Sequence, residues 1–194
     1  MKARSKLARP LETERFILEP MGAIRFMIET REIRRDPEIL AGLFQSSKPR
    51  SAWKWARTMS LPDNRTKFAF SITPKSGGRS IGFHKVKMRG YRSAFNSVAI
   101  GDREWWGKGV VLEVRAKLMN HFFSFSDVER FYGVVEARNT ASIFNYRRLG
   151  YDHVGSWHRS NQNPQTGEVV DFLNFEIFKD KWMAGPWAEK NDDA

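Results

Sequence analysis

Residues 104–110 read EWWGKGV, and this segment constrains the fold more than any other. Two glycines one residue apart, Gly107 and Gly109, mark a tight turn, because glycine enters left-handed backbone conformations without steric penalty. Behind them Val110, Val111, Val114, Leu118, Phe122 and Phe125 recur near helical spacing. They form one apolar stripe and predict a long amphipathic helix over 107–125. A glycine turn feeding a helix exposes several backbone N–H groups at the positive end of the helix dipole, a seat for phosphate. Further on, Asn139 opens a shorter helix over 139–149, with Gly150 as its stop. Tyr146 lies two helical turns after Asn139, so both face the same way. A phosphate cradle next to a positioned phenol points to group transfer from a phosphorylated carrier.

The remaining segments predict a sheet around these two helices. A strand is expected over 14–20, helices over 22–35 and 36–45, and another helix over 51–59. Asp36-Pro37 supplies an N-cap and a proline at the first helical position. Residues 67–73 alternate as a strand should, and the turns at 74–78 and 89–91 join them to strands over 79–87 and 93–101. Residues 130–136, 152–158 and 169–178 complete the set, the last two joined by a polar loop. The order β–α–α–β–β–β–α–β–α–β–β predicts one mixed α/β domain. Its central, mostly antiparallel sheet has about seven strands flanked by helices. The expected organisation is a basic arm over 1–10, the domain over 11–183 and a tail over 184–194.

Composition narrows the classes. The chain has 194 residues, 41% of them hydrophobic, enough for one substantial core. No apolar run approaches the ~18 residues of a membrane span. Glu12, Glu14 and Glu19 interrupt what would be the apolar region of a signal peptide, so a cytoplasmic protein is expected. The absence of cysteine excludes disulfides, thiolate metal sites and cysteine nucleophiles. The four histidines lack ligand spacing, so no metal is expected. A net charge of +11 favours acidic partners such as nucleotides, coenzyme phosphates, acidic protein tails or RNA. No helix-turn-helix, zinc-finger or RNP signature is present, and no specific DNA binding is expected. Both a monomer and a homodimer fit.

Four segments in this order resemble the GNAT superfamily of N-acetyltransferases, and within it the branch of RimJ and RimL. They are ERFILEP at 14–20, DREWWGKG at 102–109, NTASIFNYRRLGY at 139–151, and GEVVD at 167–171 followed by KDKW at 179–182. The resemblance spans roughly residues 11–182. It implies acetyl-CoA as the acyl donor and a primary amine as acceptor, with direct attack in a ternary complex. The branch points to a protein N-terminal amine. Nucleotide-linked amino sugars, polyamines and other small amines remain open, as does a non-catalytic protein that binds coenzyme A or a partner.

By the same resemblance, the backbone of Trp106, Gly107, Lys108, Gly109 and Val110 holds the coenzyme phosphates. Ala99, Ile100 and Gly101 pair with the pantetheine arm where two strands splay apart. Asn139 and Ser142 touch the coenzyme, although Asn139 is equally a helix cap. Tyr146 protonates the departing thiolate, or is a packed core tyrosine. The glutamate that often serves as base falls at Asn96, which cannot take a proton. Glu136, His84 and His158 are the remaining candidates. Among the seven tryptophans, Trp53, Trp55, Trp105, Trp106 and Trp157 could line an acceptor cleft.

Overall fold

The computed structural model describes residues 6–48, 51 and 60–189. The helix expected over 51–59, with Trp53 and Trp55, lies outside the described residues. The chain forms one sheet of eight strands in the order β1-β2-β3-β4-β5-β6-β8-β7. The strands are β1 (Leu11–Glu12), β2 (Phe16–Pro20), β3 (Lys67–Pro74), β4 (Gly82–Arg89), β5 (Ser93–Ile100), β6 (Arg130–Glu136), β7 (Asp152–Gln162) and β8 (Val169–Phe178). The two-residue β1, too short to show periodicity, makes the count eight. All neighbours are antiparallel except β5 and β6, which run parallel.

Among the described residues five helices cover the two faces: α1 (Ala23–Glu29), α2 (Pro37–Gly42), α3 (Val110–Phe125), α4 (Thr140–Arg148) and α5 (Lys179–Met183). The single helix expected over 22–35 is corrected to α1 and a separate 3₁₀ turn, Ile33–Arg35. Helix α1 ends at Thr30, whose hydroxyl and N–H both donate to the Phe26 carbonyl, the hydroxyl at 2.6 Å. Asp36 caps α2 as expected, accepting from the N–H groups of Glu38 and Ile39. Helix α3 begins at Val110 rather than Gly107 because both glycines have positive φ. Strand β7 runs past its expected end at 158 to Gln162 by way of register shifts that absorb extra residues against β8.

Strand alternation sorts side chains onto two cores. Phe68, Phe70, Phe131 and Phe175 face α3 and α4, meeting Phe122, Phe123 and Trp182. Ala69, Phe83 and Ala99 face α1 and α2, meeting Met21, Phe26, Ile33 and Ile39. The segments around Leu7 and Trp187 pack on the α3 side. Leu7 is buried there with its carbonyl 3.1 Å from His121 Nε2, and the Trp187 indole donates to the Arg148 carbonyl at 3.0 Å. Among the described residues no helix is long and apolar enough to cross a membrane.

Candidate active site

The parallel ladder between β5 and β6 is short. It pairs Ser93 with Arg130, Ala94 with Phe131 and Phe95 with Tyr132, and then stops. Beyond it β5 stays paired to β4 as far as Ile100, and β6 stays paired to β8 as far as Glu136. Each strand keeps its outer partner while the inner edges separate. The result is a fork whose β5 edge, from Asn96 to Ile100, faces no strand. Unpaired strand edges are templates for an extended ligand. Ala99 and Ile100 lie on this edge. Gly101 follows it, and a Cβ there would meet Ile33 Cγ1 at 2.7 Å, so its smallness serves packing against the 3₁₀ turn.

The glycine loop lies just past the end of β5. Gly107 and Gly109 have φ of 73° and 75°, and Gly109 is the N-cap of α3 without any side-chain cap. The glycines are required by conformation rather than by crowding, since a Cβ at Gly107 would meet nothing within 4 Å. Among the described residues, the N–H groups of Gly107, Gly109, Val110, Val111 and Leu112 find no protein acceptor. Five unpaired donors at the start of a 16-residue helix fit a phosphate group. Trp106 braces the loop from below, its indole donating to the Ile100 carbonyl at 2.9 Å, while Trp105 packs edge-on against Phe16. The Lys108 ammonium lies 5.8 Å from the Trp105 ring.

Helix α4 brings Tyr146 to the fork. Its ring is buried, stacked on Phe175 at 5.0 Å and edge-on to Tyr151. The hydroxyl presses on Gly133 of β6, where an added Cβ would stand 2.1 Å from it. Gly133 is the first β6 residue past the end of the ladder, so the missing side chain leaves room for the phenol where the strands part. Burial raises the Tyr146 pKa, opposed by the Arg115 guanidinium 4.8 Å above its ring. The phenol therefore keeps its proton at neutral pH and is available as an acid.

Around Tyr146 lies a buried polar cluster. Asn96 donates to the Tyr151 hydroxyl at 3.1 Å, and that hydroxyl donates to Met119 Sδ at 3.2 Å. Among the described residues the Asn96 carbonyl oxygen, both His84 ring nitrogens, and Arg115 Nε and Nη1 have no hydrogen-bond partner. His84 is held neutral, its pKa pushed well below the usual range by burial and by Arg115.

The other residues expected at the site lie around the fork or further along the sheet. Asn139 caps α4, accepting from Ser142 N at 3.0 Å, and its amide donates to the Gly42 carbonyl, so both ends of its side chain are engaged. Glu136 lies at the open end of β6 on the α1/α2 face, paired with Arg138 at 2.9 Å and accepting from the Asn163 amide. His158 is exposed on edge strand β7, bonded to Asp171 at 3.1 Å, and Trp157 on the same strand is 54% exposed. A cavity of about 650 Å³ lies along α4, lined by Ala137, Ile143, Phe144, Arg147 and Leu173 among others. It shares no residue with the loop or the fork. At the fork an open strand edge meets a buried phenol, and the unpaired loop amides lie just past the open end. Sequence reasoning overlooked Gly133 and Arg115. A lone glycine inside the strand RFYGVVE was the available signal for the first, and nothing in the α3 pattern singled out Arg115.

Comparison with known proteins bears on this geometry. The model of the acetyltransferase (GNAT) domain matches residues 15–152. Among solved structures, a ribosomal-protein-S5-alanine acetyltransferase from Vibrio fischeri superposes with a TM-score of 0.69 at 16% identity, covering 89% of this chain and 98% of that one. A spermidine N-acetyltransferase from Vibrio cholerae, solved with CoA and spermine, gives 0.70 at 16% identity over 86% and 98%. A GNAT-family acetyltransferase from Bacillus anthracis gives 0.70 at 13% identity over 88% and 99%. At these identities the superpositions establish shared architecture alone. The matched domain model spans most of the chain, including the fork, the glycine loop and Tyr146, and the chain belongs to the GNAT acetyltransferase family.

Proposed function

We propose that the chain is an acetyl-CoA-dependent N-acetyltransferase of the RimJ/RimL-like branch, working in the cytoplasm on a primary amine. The observation that carries this reading is the fork between β5 and β6, with the Tyr146 hydroxyl at its base and the unpaired loop amides beyond its open end. The amides of Gly107, Gly109 and Val110, with Trp106 and Lys108 alongside, hold the coenzyme phosphates. The free edge of Ala99 and Ile100 aligns the pantetheine arm and offers an N–H to the thioester oxygen as negative charge develops there.

The acceptor nitrogen attacks the thioester carbonyl. A C–N bond forms, the C–S bond breaks, and Tyr146 gives its proton to the departing sulfur. The acceptor's own proton leaves toward Glu136, directly or through water, and Arg138 keeps that carboxylate in place. The S5-alanine acetyltransferase neighbour supports an N-terminal amine as acceptor, and the spermidine acetyltransferase neighbour supports both coenzyme A and a small amine.

Calorimetric titration with acetyl-CoA tests the donor site. The wild type binds in the micromolar range. Gly109→Trp, with an indole at a positive-φ position inside the cradle, loses binding while remaining folded. A well-folded wild type that ignores acetyl-CoA refutes the proposal. Tyr146→Phe lowers kcat by about 10²–10⁴-fold with acetyl-CoA affinity retained, and unchanged turnover removes Tyr146 from the mechanism.

A further inference from the structure

The α3/α4 face of the fork is filled by the two helices and by Tyr146, so the acceptor reaches the fork from the α1/α2 face. Sheet alternation decides what stands on that face. From β3 and β4 come Lys67, Lys85 and Lys87, and from β5 and β6 come Phe95 and Tyr132 at the last rung of the ladder. All three lysines are partly buried. Lys67 and Lys87 are direct cross-strand partners, an arrangement of like charges that weakens a sheet. Lys85, one turn of the pleat further along, rests over the Phe26 ring at 5.1 Å and donates to the Ser60 carbonyl at 2.7 Å.

Asp63, the acid nearest the row, is taken up by the turn before β3, accepting from the backbone N–H groups of Arg65, Thr66 and Lys67. Glu19 and Glu29 are bound to Arg25, Glu136 to Arg138, and Glu176 to Arg130. Among the described residues, Lys67, Lys85 and Lys87 have no carboxylate partner. Burial, then Lys87 and Lys67, push Lys85 down to about 8, and burial, then Arg89 and Lys67, lower Lys87. Next to the row, the Phe95 and Tyr132 rings lie 5.5 Å apart at 56°, an apolar wall at the fork itself.

Resting on the transferase reading, we propose that the acceptor is an amine whose own molecule carries phosphate, seated on Lys67, Lys85 and Lys87 with its nitrogen at the fork. The row supplies ammonium donors in place of the acidic lining a polyamine needs, and the aromatic pair packs against the carbon skeleton between phosphate and amine. The phosphate comes from a sugar phosphate or from the diphosphate of a nucleotide-linked amino sugar.

The test compares glucosamine 6-phosphate, a uridine diphosphate-linked amino sugar, glucosamine, spermidine and a peptide with an acidic N-terminal sequence as acceptors, following thiol release from acetyl-CoA. The phosphate-bearing amines are expected to show KM values about tenfold or more below that of glucosamine, the usual scale for a charge-assisted contact. The better of the two identifies the phosphate source. Lys67→Gln and Lys87→Gln should each narrow the ratio between glucosamine 6-phosphate and glucosamine. Either change also relieves the Lys67–Lys87 repulsion, so the fold should be kept. Preferred turnover of spermidine or of a peptide with an acidic N-terminal sequence overturns the proposal, as does a ratio unmoved by both variants. Calorimetry of glucosamine 6-phosphate on the coenzyme A-saturated protein separates the two levels of argument. Absent binding beside normal coenzyme binding defeats the phosphate site alone. Failure of the coenzyme to bind defeats the transferase reading, and glucosamine 6-phosphate titrated into the coenzyme-free protein and into its Lys87→Gln variant then still decides the lysine row.

Discussion

Replacing Gly133 by alanine should disable the enzyme without touching the coenzyme loop. The new Cβ would stand 2.1 Å from the Tyr146 hydroxyl and 2.2 Å from Cζ. A carbon–oxygen contact is tolerated down to about 3.3 Å, so the phenol must retreat by about 1 Å. Phe175 stacks on one face of the ring and Tyr151 meets it edge-on, so it cannot swing aside at constant backbone. Displacing an acid by 1 Å costs about 10²-fold in turnover, and the overpacking costs about 1–3 kcal/mol of stability. The assay is thiol release from acetyl-CoA with the best acceptor amine, beside calorimetric affinity for acetyl-CoA and a thermal melt. The expected pattern is a low kcat, a retained coenzyme Kd and a lowered Tm. In Tyr146→Phe the hydroxyl is already gone, so adding Gly133→Ala should lower kcat little further, a non-additive pair. A Gly133→Ala enzyme with near-wild-type kcat, or a double variant whose losses simply multiply, would refute the placement of the phenol at the fork.

Other perturbations have worked-out directions. Arg115 is 3% exposed with two nitrogens unpartnered. Arg115→Met therefore removes a buried charge with two unsatisfied donors and should raise Tm by about 2–4 °C per kcal/mol regained. Its kcat should fall, because Tyr146 loses the cation that opposes its burial, and a lowered Tm would contradict this. Burial depresses the folded-state pKa of both His84 and His121 below the unfolded value of about 6.5. Their contribution to stability is thus fully present above about pH 6.5 and is lost as pH falls below it. Melts between pH 8 and 5 should show Tm declining on the acid side, and a flat profile would exclude neutral buried histidines. Asp36→Ala removes the α2 cap and the Arg103 ion pair at 2.9 Å. It should cost about 1 kcal/mol, read as a modest drop in Tm.

Much of the fold was legible because local chemistry and the final structure agree. The α3 stripe, the Asp36 and Asn139 caps, the Gly107–Gly109 turn and the alternation of β3 each depend on neighbours a few residues away. They were therefore visible in order along the chain. The errors lie where a local signal was missing or overruled. Thr30 carries no obvious stop, yet α1 ends there, with its hydroxyl and its N–H both donating to the Phe26 carbonyl. The extension of β7 depends on register shifts against β8, which no single strand encodes.

At the candidate site the division is sharper. The amino-acid sequence by itself determined that a glycine turn would feed a long amphipathic helix, that a tyrosine would sit two turns into a capped one, and that no thiol chemistry was available. These are properties of spacing and residue type. Only the tertiary structure decided that β5 and β6 separate after Phe95 and Tyr132, since each strand's outer partner holds it to a different direction of the twisted sheet. Only packing put the Tyr146 hydroxyl on Gly133, left two buried Arg115 nitrogens without a partner among the described residues, and gathered Lys67, Lys85 and Lys87 onto one face. Those contacts join residues far apart in the chain, and pleat and register, fixed by the whole sheet, choose which side chains share a face.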